Sequence, residues 1–307
     1  MARPDFPRSI LEFQARFADE DACRRYLFES RWPEGFSCPH CGGGSAGEQP
    51  RRRLWECRDC GHQASVTSGT VMHGTRTPLQ VWFWAVYLVA THHPGISAVQ
   101  LQRQLGIKRY ETAWLILHKL RRAMVAPERS LLGGPVEVDE FYVGGIEAGR
   151  GAGRKTDSTK AIVVVAVELR GQGSGRLRLG VVPDLSNRSL CGFVEGAVNP
   201  GATVHTDAWQ GYRRLAGLGY DHRAASQRQA EPGEWLLPRA HRSISNFKAW
   251  LHGTHRDVSR EHLQVYLDEF VFRHNRRRTP MAAFQTLLGL GANRPPTTYS
   301  QITAHAA

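Results

Sequence analysis

The sequence contains no long apolar run and no segment typical of a secreted chain. Its longest apolar stretch, VWFWAVYLVA at 81–90, is only half as long as the roughly 20 residues that a membrane-spanning helix needs. The N-terminal segment has no apolar signal-peptide core. Six cysteines in 307 residues are also too few for a disulfide-rich scaffold. We therefore expect a cytoplasmic protein whose thiols stay reduced.

Acidic residues are scarce as well. Asp and Glu number 28 against 40 Lys and Arg, which gives a net charge of +12 and an isoelectric point near 9.9. This surplus favours a polyanionic partner, because each phosphate that a protein neutralises releases a condensed counterion. A merely basic protein without such a partner is the alternative. The segment RAHRSISNFKAWLHGTH (239–255) has no acid at all. It is either a solvated basic face, a DNA-binding helix or part of an active site whose carboxylates lie elsewhere.

Composition divides the chain into five parts. Residues 1–36 predict a helical lead-in, 37–75 are rich in Cys, Gly and Arg, 76–128 have a helical pattern, 134–280 begin with strands and continue with helices, and 281–307 form a C-terminal tail. Pro and paired Gly around 127–134 favour a linker, since both break regular structure. A Gly/Arg-rich stretch at 144–160 predicts a mobile basic loop between two strands.

The cysteines predict a metal site. Cys38-Pro-His-Cys41 and Cys57-Arg-Asp-Cys60 form two C-x-x-C knuckles at the spacing of a four-thiolate zinc site. A segment of this size buries too little core to fold alone, so the ion would supply folding energy. The alternatives are reduced structural cysteines or a redox pair. Three neighbouring arginines, Arg51, Arg52 and Arg53, suit a ribbon that contacts nucleic acid, although zinc ribbons also bind proteins.

The next segment predicts a helix-turn-helix. Ser97 can cap a short helix, Gly106 can make the turn, and a longer basic helix follows from about 108 to 124. In this motif the second helix enters the major groove of DNA. Any helical hairpin can imitate the pattern, but a zinc ribbon beside it in a basic chain favours DNA binding.

An acidic strand follows the linker. In PVEVDEFYVGG (135–145), Val136, Val138 and Glu140 alternate with Glu137, Asp139 and Phe141. Strands at 161–169 and 174–181, a helix at 187–198, and a fourth strand that ends at Asp207 and precedes another helix complete an α/β pattern. This is the element order of a ribonuclease-H-like fold, in which the first and fourth strands are neighbours.

That fold brings two carboxylates together. Asp139 and Asp207 would converge and hold two divalent cations about 3.5–4 Å apart, the geometry of in-line phosphoryl displacement. The structural alternative is that Asp139 merely ends a strand and Asp207 merely caps a helix.

Four pieces of the sequence together resemble a known family. CPHCG…WECRDCGHQASVTSGTVMHGTRTPLQVWFWAVYLV, VEVDEFYVGG, TDAWQGY and SNFKAWLHGTHRDVSREHLQVYLDEFVFRHNRRR are similar to the zinc-ribbon-bearing, ISXO-type insertion-sequence transposases of the DDE superfamily. The resemblance covers about 20–280. It implies a catalytic domain over 134–280 that cuts DNA at transposon ends and joins the freed 3′ hydroxyl to target DNA, using Mg²⁺ or Mn²⁺.

The resemblance also assigns site residues. Asp139 and Asp207 correspond to the first two acids of the family, and the third position, seven residues before a DNA-contacting Lys248, is His241. Imidazole suits Mn²⁺ or proton transfer better than Mg²⁺. Glu234 is the alternative third carboxylate, and Glu137 and Glu140 are expected to assist.

The resemblance completes the set of DNA contacts and partners. The basic residues expected to contact DNA are Arg51, Arg52, Arg53, Lys108, Arg109, Arg121, Arg122, Arg154, Lys155, Lys248, Arg276, Arg277 and Arg278. Partners would be double-stranded DNA of the terminal inverted repeats and the target, bound by a homodimer or a higher assembly. We expect a bacterial or archaeal protein associated with the nucleoid. Two other functions stay open: a non-enzymatic DNA-binding regulator, and a structure-specific nuclease on the same fold.

Overall fold

The computed structural model describes residues 5–126, 128–144, 160–226, 236–256 and 258–303. The chain forms two compact units. We name Met1–Ala126 together with Arg276–Ala307 the ribbon unit, and Pro127–Asn275 the sheet unit.

The elements follow one another in three groups. The first comprises α1 (Ile10–Arg16), α2 (Glu20–Arg31), β1 (Ala46–Gln49), β2 (Leu54–Cys57), β3 (Gln63–Ala64), α3 (Leu79–Thr91), α4 (Ala98–Gln104) and α5 (Tyr110–Ala123). The sheet unit comprises β4 (Val136–Val143), β5 (Ala161–Arg170), β6 (Gly173–Val182), α6 (Asn187–Ala197), β7 (Thr203–Asp207), β8 (Asp221–Ala225), α7 (Pro238–Thr254) and α8 (Leu263–Asn275). The chain then returns to the ribbon unit with α9 (Pro280–Ala292) and α10 (Tyr299–Thr303).

The ribbon unit has an aromatic core to which the C-terminal segment contributes. Phe284 on α9 is fully buried, and its ring centre lies 5.5 Å from that of Phe13 and 6.2 Å from that of Phe83. The predicted tail at 281–307 is therefore wrong where α9 lies, because Phe284, Leu287 and Leu288 bury their side chains in the unit. These residues repeat at helical spacing, the pattern that marks a core-facing helix.

The sheet unit contains one five-stranded sheet in the order β6-β5-β4-β7-β8. β4, β5 and β6 pair antiparallel, whereas β7 pairs parallel with β4 and β8 parallel with β7. Three successive strands, a crossing helix and a fourth strand beside the first confirm the ribonuclease-H-like architecture predicted from the sequence. The pattern analysis missed β8, an edge strand whose side chains are mostly exposed.

One predicted element after β7 is different. The sequence predicted a helix after Asp207, but the structure has short 3₁₀ turns at Gln210–Tyr212 and Ala216–Leu218. Gly211 explains part of this, since a Cβ there would lie 2.6 Å from a methyl carbon of Leu190. The close approach to α6 favours a tight, glycine-containing turn over a regular helix.

The two faces of β4 pack against different layers of helices. Val136 and Val138 are fully buried in the core cluster that includes α6, and Phe141 packs in the other cluster with α7 and α8. The predicted alternation is therefore confirmed. It directs Glu137 and Asp139 toward the α7 face, because successive side chains of a strand point to opposite sides. Within the described ranges, no helix is long and apolar enough to cross a membrane.

Candidate active site and metal centre

The four predicted zinc ligands lie together. The Sγ atoms of Cys38 and Cys60 are 3.7 Å apart, and those of Cys41 and Cys57 are 3.6 Å apart. Thiolates about 2.3 Å from one tetrahedral ion would be about 3.8 Å from one another, so the geometry fits zinc. Among the described residues, these cysteines are the one group of three or more potential ligands whose donor atoms all lie within 4.8 Å of one another.

The backbone of each knuckle explains this convergence. Gly42 and Gly61, with φ of 77° and 70°, follow the knuckles, and each donates its N–H to the first cysteine carbonyl at 2.9 Å. Only glycine adopts this left-handed conformation without strain.

Burial raises the pKa of Cys38, but the N–H groups of Cys41 and His40 and the neighbouring thiols outweigh it and lower the pKa to about 6. The N–H of His62 lowers the pKa of Cys60, but the neighbouring thiols outweigh it and raise the pKa to about 12. These shifts therefore favour the thiolate at Cys38 and disfavour it at Cys60.

The surface of the ribbon differs from its interior. Arg51, Arg52 and Arg53 are exposed where β1 turns into β2, as a phosphate contact requires. The neighbouring Trp55 instead packs on α2, with its ring 4.9 Å from Phe28. The arginine triplet is therefore the part of the hairpin that is accessible to a partner.

The basic helices expose only part of their predicted contacts. Ser97 caps α4 by accepting the N–H of Gln100 at 3.2 Å, and Gly106 makes the turn with φ of 62°, as predicted. Lys108 and Arg109 are exposed at the beginning of α5, and Arg122 is half-buried near its end. Arg121 is only 2% exposed. The predicted DNA contact by Arg121 is therefore wrong for this conformation, because a phosphate cannot reach a buried guanidinium.

The two aspartates lie on neighbouring parallel strands, Asp139 in the middle of β4 and Asp207 at the end of β7. Glu137 of β4 pairs with His205 of β7, and Asp139 and Asp207 each follow two residues later. The N–H of Glu140 holds Asp139 Oδ1 at 2.9 Å, and the N–H of Trp209 holds Asp207 Oδ1 at 3.0 Å. Both carboxylates are thus oriented by backbone donors just beyond the last paired residues of β4 and β7. Carboxylate oxygens are the ligands that Mg²⁺ and Mn²⁺ prefer.

His241 on α7 lies beside Asp139. Its Nε2 lies 3.2 Å from Asp139 Oδ2, and the imidazole is 43% exposed. The site therefore opens to solvent on the α7 side while Asp139 stays 13% exposed beneath it. The structure brings together the first and third predicted positions. The donor atoms of Asp139, Asp207 and His241 do not all lie within 4.8 Å of one another, unlike those of the cysteine cluster.

The two assisting glutamates have other partners. Glu137 Oε2 accepts the N–H groups of Arg239 and Ala240, both at 2.8 Å, at the beginning of α7. Glu140, on the opposite face of β4, accepts the Tyr212 hydroxyl at 2.7 Å. The expectation that both assist as carboxylates at the metal site is therefore corrected, because each is engaged in holding a neighbouring segment.

Tyr212 connects the segment after Asp207 to β4. It is fully buried, and burial raises its pKa well above the ordinary value. The charge of Glu140 raises the pKa further, with smaller contributions from Asp139 and Asp207. A neutral hydroxyl donating to Glu140 thus ties the two aspartate-bearing segments together behind the site.

Lys248 lies on the same face of α7 as His241. Its Nζ is 5.4 Å from the centre of the Phe141 ring, and the side chain is otherwise exposed. Phe141 and Asp139 share one face of β4, so Lys248 lies over the same face of the strand as Asp139. Of the remaining predicted contacts, Arg277 and Arg278 are exposed and Arg276 is half-buried. Arg154, Lys155 and Glu234 lie outside the described residues.

Comparison with known proteins identifies two domains in the chain. Residues 131–275 match the model of the ISXO2-like transposase domain, and residues 18–63 match the transposase zinc-ribbon domain. A curated protein described as an uncharacterized protein in transposable element ISH50, from Halobacterium salinarum, is 28% identical over 89% of this chain and 97% of its own length. The two matched domains together span more than half of the sequence. The chain belongs to the ISXO2-like insertion-sequence transposases that carry an N-terminal zinc ribbon.

Proposed function

We propose that this transposase binds the terminal inverted repeats of its element, cleaves DNA at the ends and joins the 3′ hydroxyl to target DNA by two-metal phosphoryl transfer. One observation carries the proposal. Asp139 on β4 and Asp207 at the end of β7 each follow two residues after the paired Glu137 and His205 of adjacent parallel strands, and His241 on α7 stands 3.2 Å from Asp139. Two carboxylates from neighbouring strands and a third polar group form the minimum set for this chemistry.

The side chains have separate roles in this proposal. Asp139 and Asp207 would hold two Mg²⁺ or Mn²⁺ ions, which supply Lewis-acid stabilisation of the phosphate and activation of the attacking oxygen. His241 either completes the ligand set or transfers a proton at the attacking or leaving oxygen. Lys248 binds a phosphate of the strand that is cut. Glu140 and Tyr212 keep the two aspartate-bearing segments in register.

DNA recognition is assigned to the ribbon unit. We propose that α4, the Gly106 turn and α5 act as a helix-turn-helix, with the exposed beginning of α5 at Lys108 and Arg109 directed into the major groove. Arg51–Arg53 on the ribbon, which is held by a structural zinc ion, would add phosphate contacts, as would Arg276–Arg278. Residues 154–155 and Arg122 extend this basic set. Synapsis of two ends implies a homodimer or a higher assembly on DNA.

The decisive experiment is a strand-transfer assay on pre-cut terminal inverted repeats of the element with Mn²⁺. We expect joined product from the wild type and none from Asp139→Asn or Asp207→Asn, with DNA binding retained in both. Asp221→Asn is the matched control, because Asp221 is an exposed aspartate on β8 of the same sheet that pairs with Arg223. Cleavage without joining would favour a nuclease, and binding without either would favour a regulator.

A harder ligand at position 241 distinguishes the two possible roles of His241, metal ligation and proton transfer. Glutamate at this position offers the oxygen donor that Mg²⁺ prefers. If His241 completes the ligand set, His241→Glu should raise the ratio of joining in Mg²⁺ to joining in Mn²⁺. Loss of activity with both ions would instead support proton transfer by the imidazole.

A further inference from the structure

Glu137 connects the catalytic strand to the helix that carries His241. Its carboxylate is 4% exposed and accepts two backbone N–H groups at the first turn of α7, those of Arg239 and Ala240. The Arg239 guanidinium lies 3.9 Å from the other carboxylate oxygen. Glu137 is two residues from Asp139 on the same face of β4, so strand and helix are joined immediately beside the site.

The beginning of α7 depends on an acceptor from elsewhere. The N-cap residue is Leu237, which has an apolar side chain and a left-handed backbone with φ of 54° and ψ of 46°. An apolar N-cap cannot accept the N–H groups that a helix leaves unsatisfied in its first turn. An L-residue in this conformation is also strained and persists only where its surroundings fix it. The Glu137 carboxylate supplies both the acceptor and the negative charge that a helix N-terminus favours.

This cap controls where His241 stands. The N–H of His241 donates to the carbonyl of Leu237 at 3.0 Å, so His241 belongs to the same turn that Glu137 holds. We propose that Glu137 is a positioning residue for transposition, which fixes the first turn of α7 so that the imidazole meets Asp139. This inference rests on the function proposed above, and it assigns Glu137 a role through His241 rather than as a metal ligand.

Two variants test the cap itself. Both N–H groups bind one oxygen, Oε2, and the amide oxygen of glutamine can replace it, whereas leucine offers no acceptor. In single-turnover cleavage at saturating DNA and Mn²⁺, we expect Glu137→Leu to reduce the rate about 10- to 100-fold, as removal of groups that orient metal-site residues commonly does. Glu137→Gln keeps the acceptor and loses the charge, so it should reduce the rate less than Glu137→Leu does. Hydrogen exchange at the first turn of α7 should become faster in Glu137→Leu and change less in Glu137→Gln.

A double-variant cycle distinguishes positioning from general support of the fold. In a His241→Ala background the position of the missing imidazole no longer matters, so adding Glu137→Leu should change the rate little. Ser186→Ala is the matched control, because Ser186 caps α6 on the other face of the same sheet by accepting the N–H of Ser189. That variant should lose a cap and keep its cleavage rate.

Two results would overturn the inference. One is a loss from Glu137→Leu that is as large in the His241→Ala background as in the wild type. The other is an unchanged cleavage rate in Glu137→Leu despite faster exchange in α7. Absence of metal-dependent cleavage by the wild type would instead refute the proposed function, and the inference with it, so the two failures are distinguishable.

Discussion

The buried carboxylate of Glu168 and the partly exposed guanidinium of Arg176 form an ion pair that joins the segment before β4 to the β5–β6 hairpin. The Glu168 carboxylate is 4% exposed and lies 2.5 Å from the Arg176 guanidinium. It also accepts the N–H groups of Gly133 at 3.0 Å and of Arg176 at 2.9 Å. Burial by itself raises the pKa of Glu168, but these donors outweigh it and lower the pKa from the ordinary 4.5 to about 2. The shift corresponds to roughly 3 kcal/mol of stability at neutral pH.

The direction of the shift fixes the pH dependence. Because the pKa is lowered in the folded state, the stabilisation is complete well above pH 4.5 and is lost as the pH falls toward 2. Glu168→Gln keeps the shape and removes the charge. We expect this variant to lower the free energy of unfolding of the sheet unit by about 3 kcal/mol at pH 7, and by less than half of that at about pH 3.

Urea unfolding followed by hydrogen exchange in β5 and β6 measures this difference within the sheet unit. Comparing each variant with the wild type at the same pH cancels the titration of other groups. Arg176→Met leaves a buried, uncompensated carboxylate and should cost about 3–5 kcal/mol at pH 7, with the cost relieved by acid. A Glu168→Gln deficit of equal size at pH 7 and pH 3 would refute the assignment of the stabilisation to the ionised pair.

Three further predictions concern metal, DNA and core. Cys60→Ser should abolish stoichiometric zinc, measured by metal analysis, and unfold the ribbon, since structural zinc supplies folding energy; full zinc in the variant would contradict the four-thiolate site. Lys248→Ala should reduce the slope of log affinity against log salt by about 0.9 for the loss of one phosphate contact, and an unchanged slope would place Lys248 off the DNA. Phe284→Ala should destabilise the ribbon unit by about 3–5 kcal/mol, because it empties a buried site; a thermal midpoint equal to that of the wild type would exclude α9 from the core.

Local patterns were enough to predict the elements that carry the chemistry. The alternation of Val136 and Val138 with Glu137 and Asp139 depends only on strand geometry, and the structure preserves it. The cysteine knuckles depend on short loops whose turns are encoded by adjacent glycines. Strand order followed from element order because few topologies connect three strands, a helix and a fourth strand.

Features set by long-range contacts were not predictable in the same way. β8 has the exposed pattern of a loop, and only its pairing with β7 makes it a strand. Arg121 has the positive charge expected of a DNA contact, but its side chain is buried. The capping role of Glu137 requires two segments about one hundred residues apart to meet. No local signal encodes that meeting, although an apolar residue before Pro238 at a helix start indicates that a cap must come from elsewhere.

β4 and α7 advance in step across the site. Glu137 meets the first turn of the helix, Asp139 meets His241, and Phe141 meets the ammonium of Lys248. From Glu137 to Phe141 the strand advances about 13 Å, and from the capped turn to Lys248 the helix advances about 12 Å. Strand and helix therefore run side by side in one direction, and their contacts follow in the same order along both elements.

This alignment disfavours an acid on the inner stripe of α7, within a segment, residues 239–255, that contains none. A carboxylate on the inner stripe of α7 would lie beside Asp139 or Glu137, both only slightly exposed, and like charges at such distances repel strongly where water is scarce. The helix thus complements an acidic strand. On its inner stripe, His241 contacts the carboxylate of Asp139, and Lys248 lies over the Phe141 ring because helical side chains point toward the N-terminus. The absence of acids from the inner stripe therefore follows from the acidic strand that α7 covers.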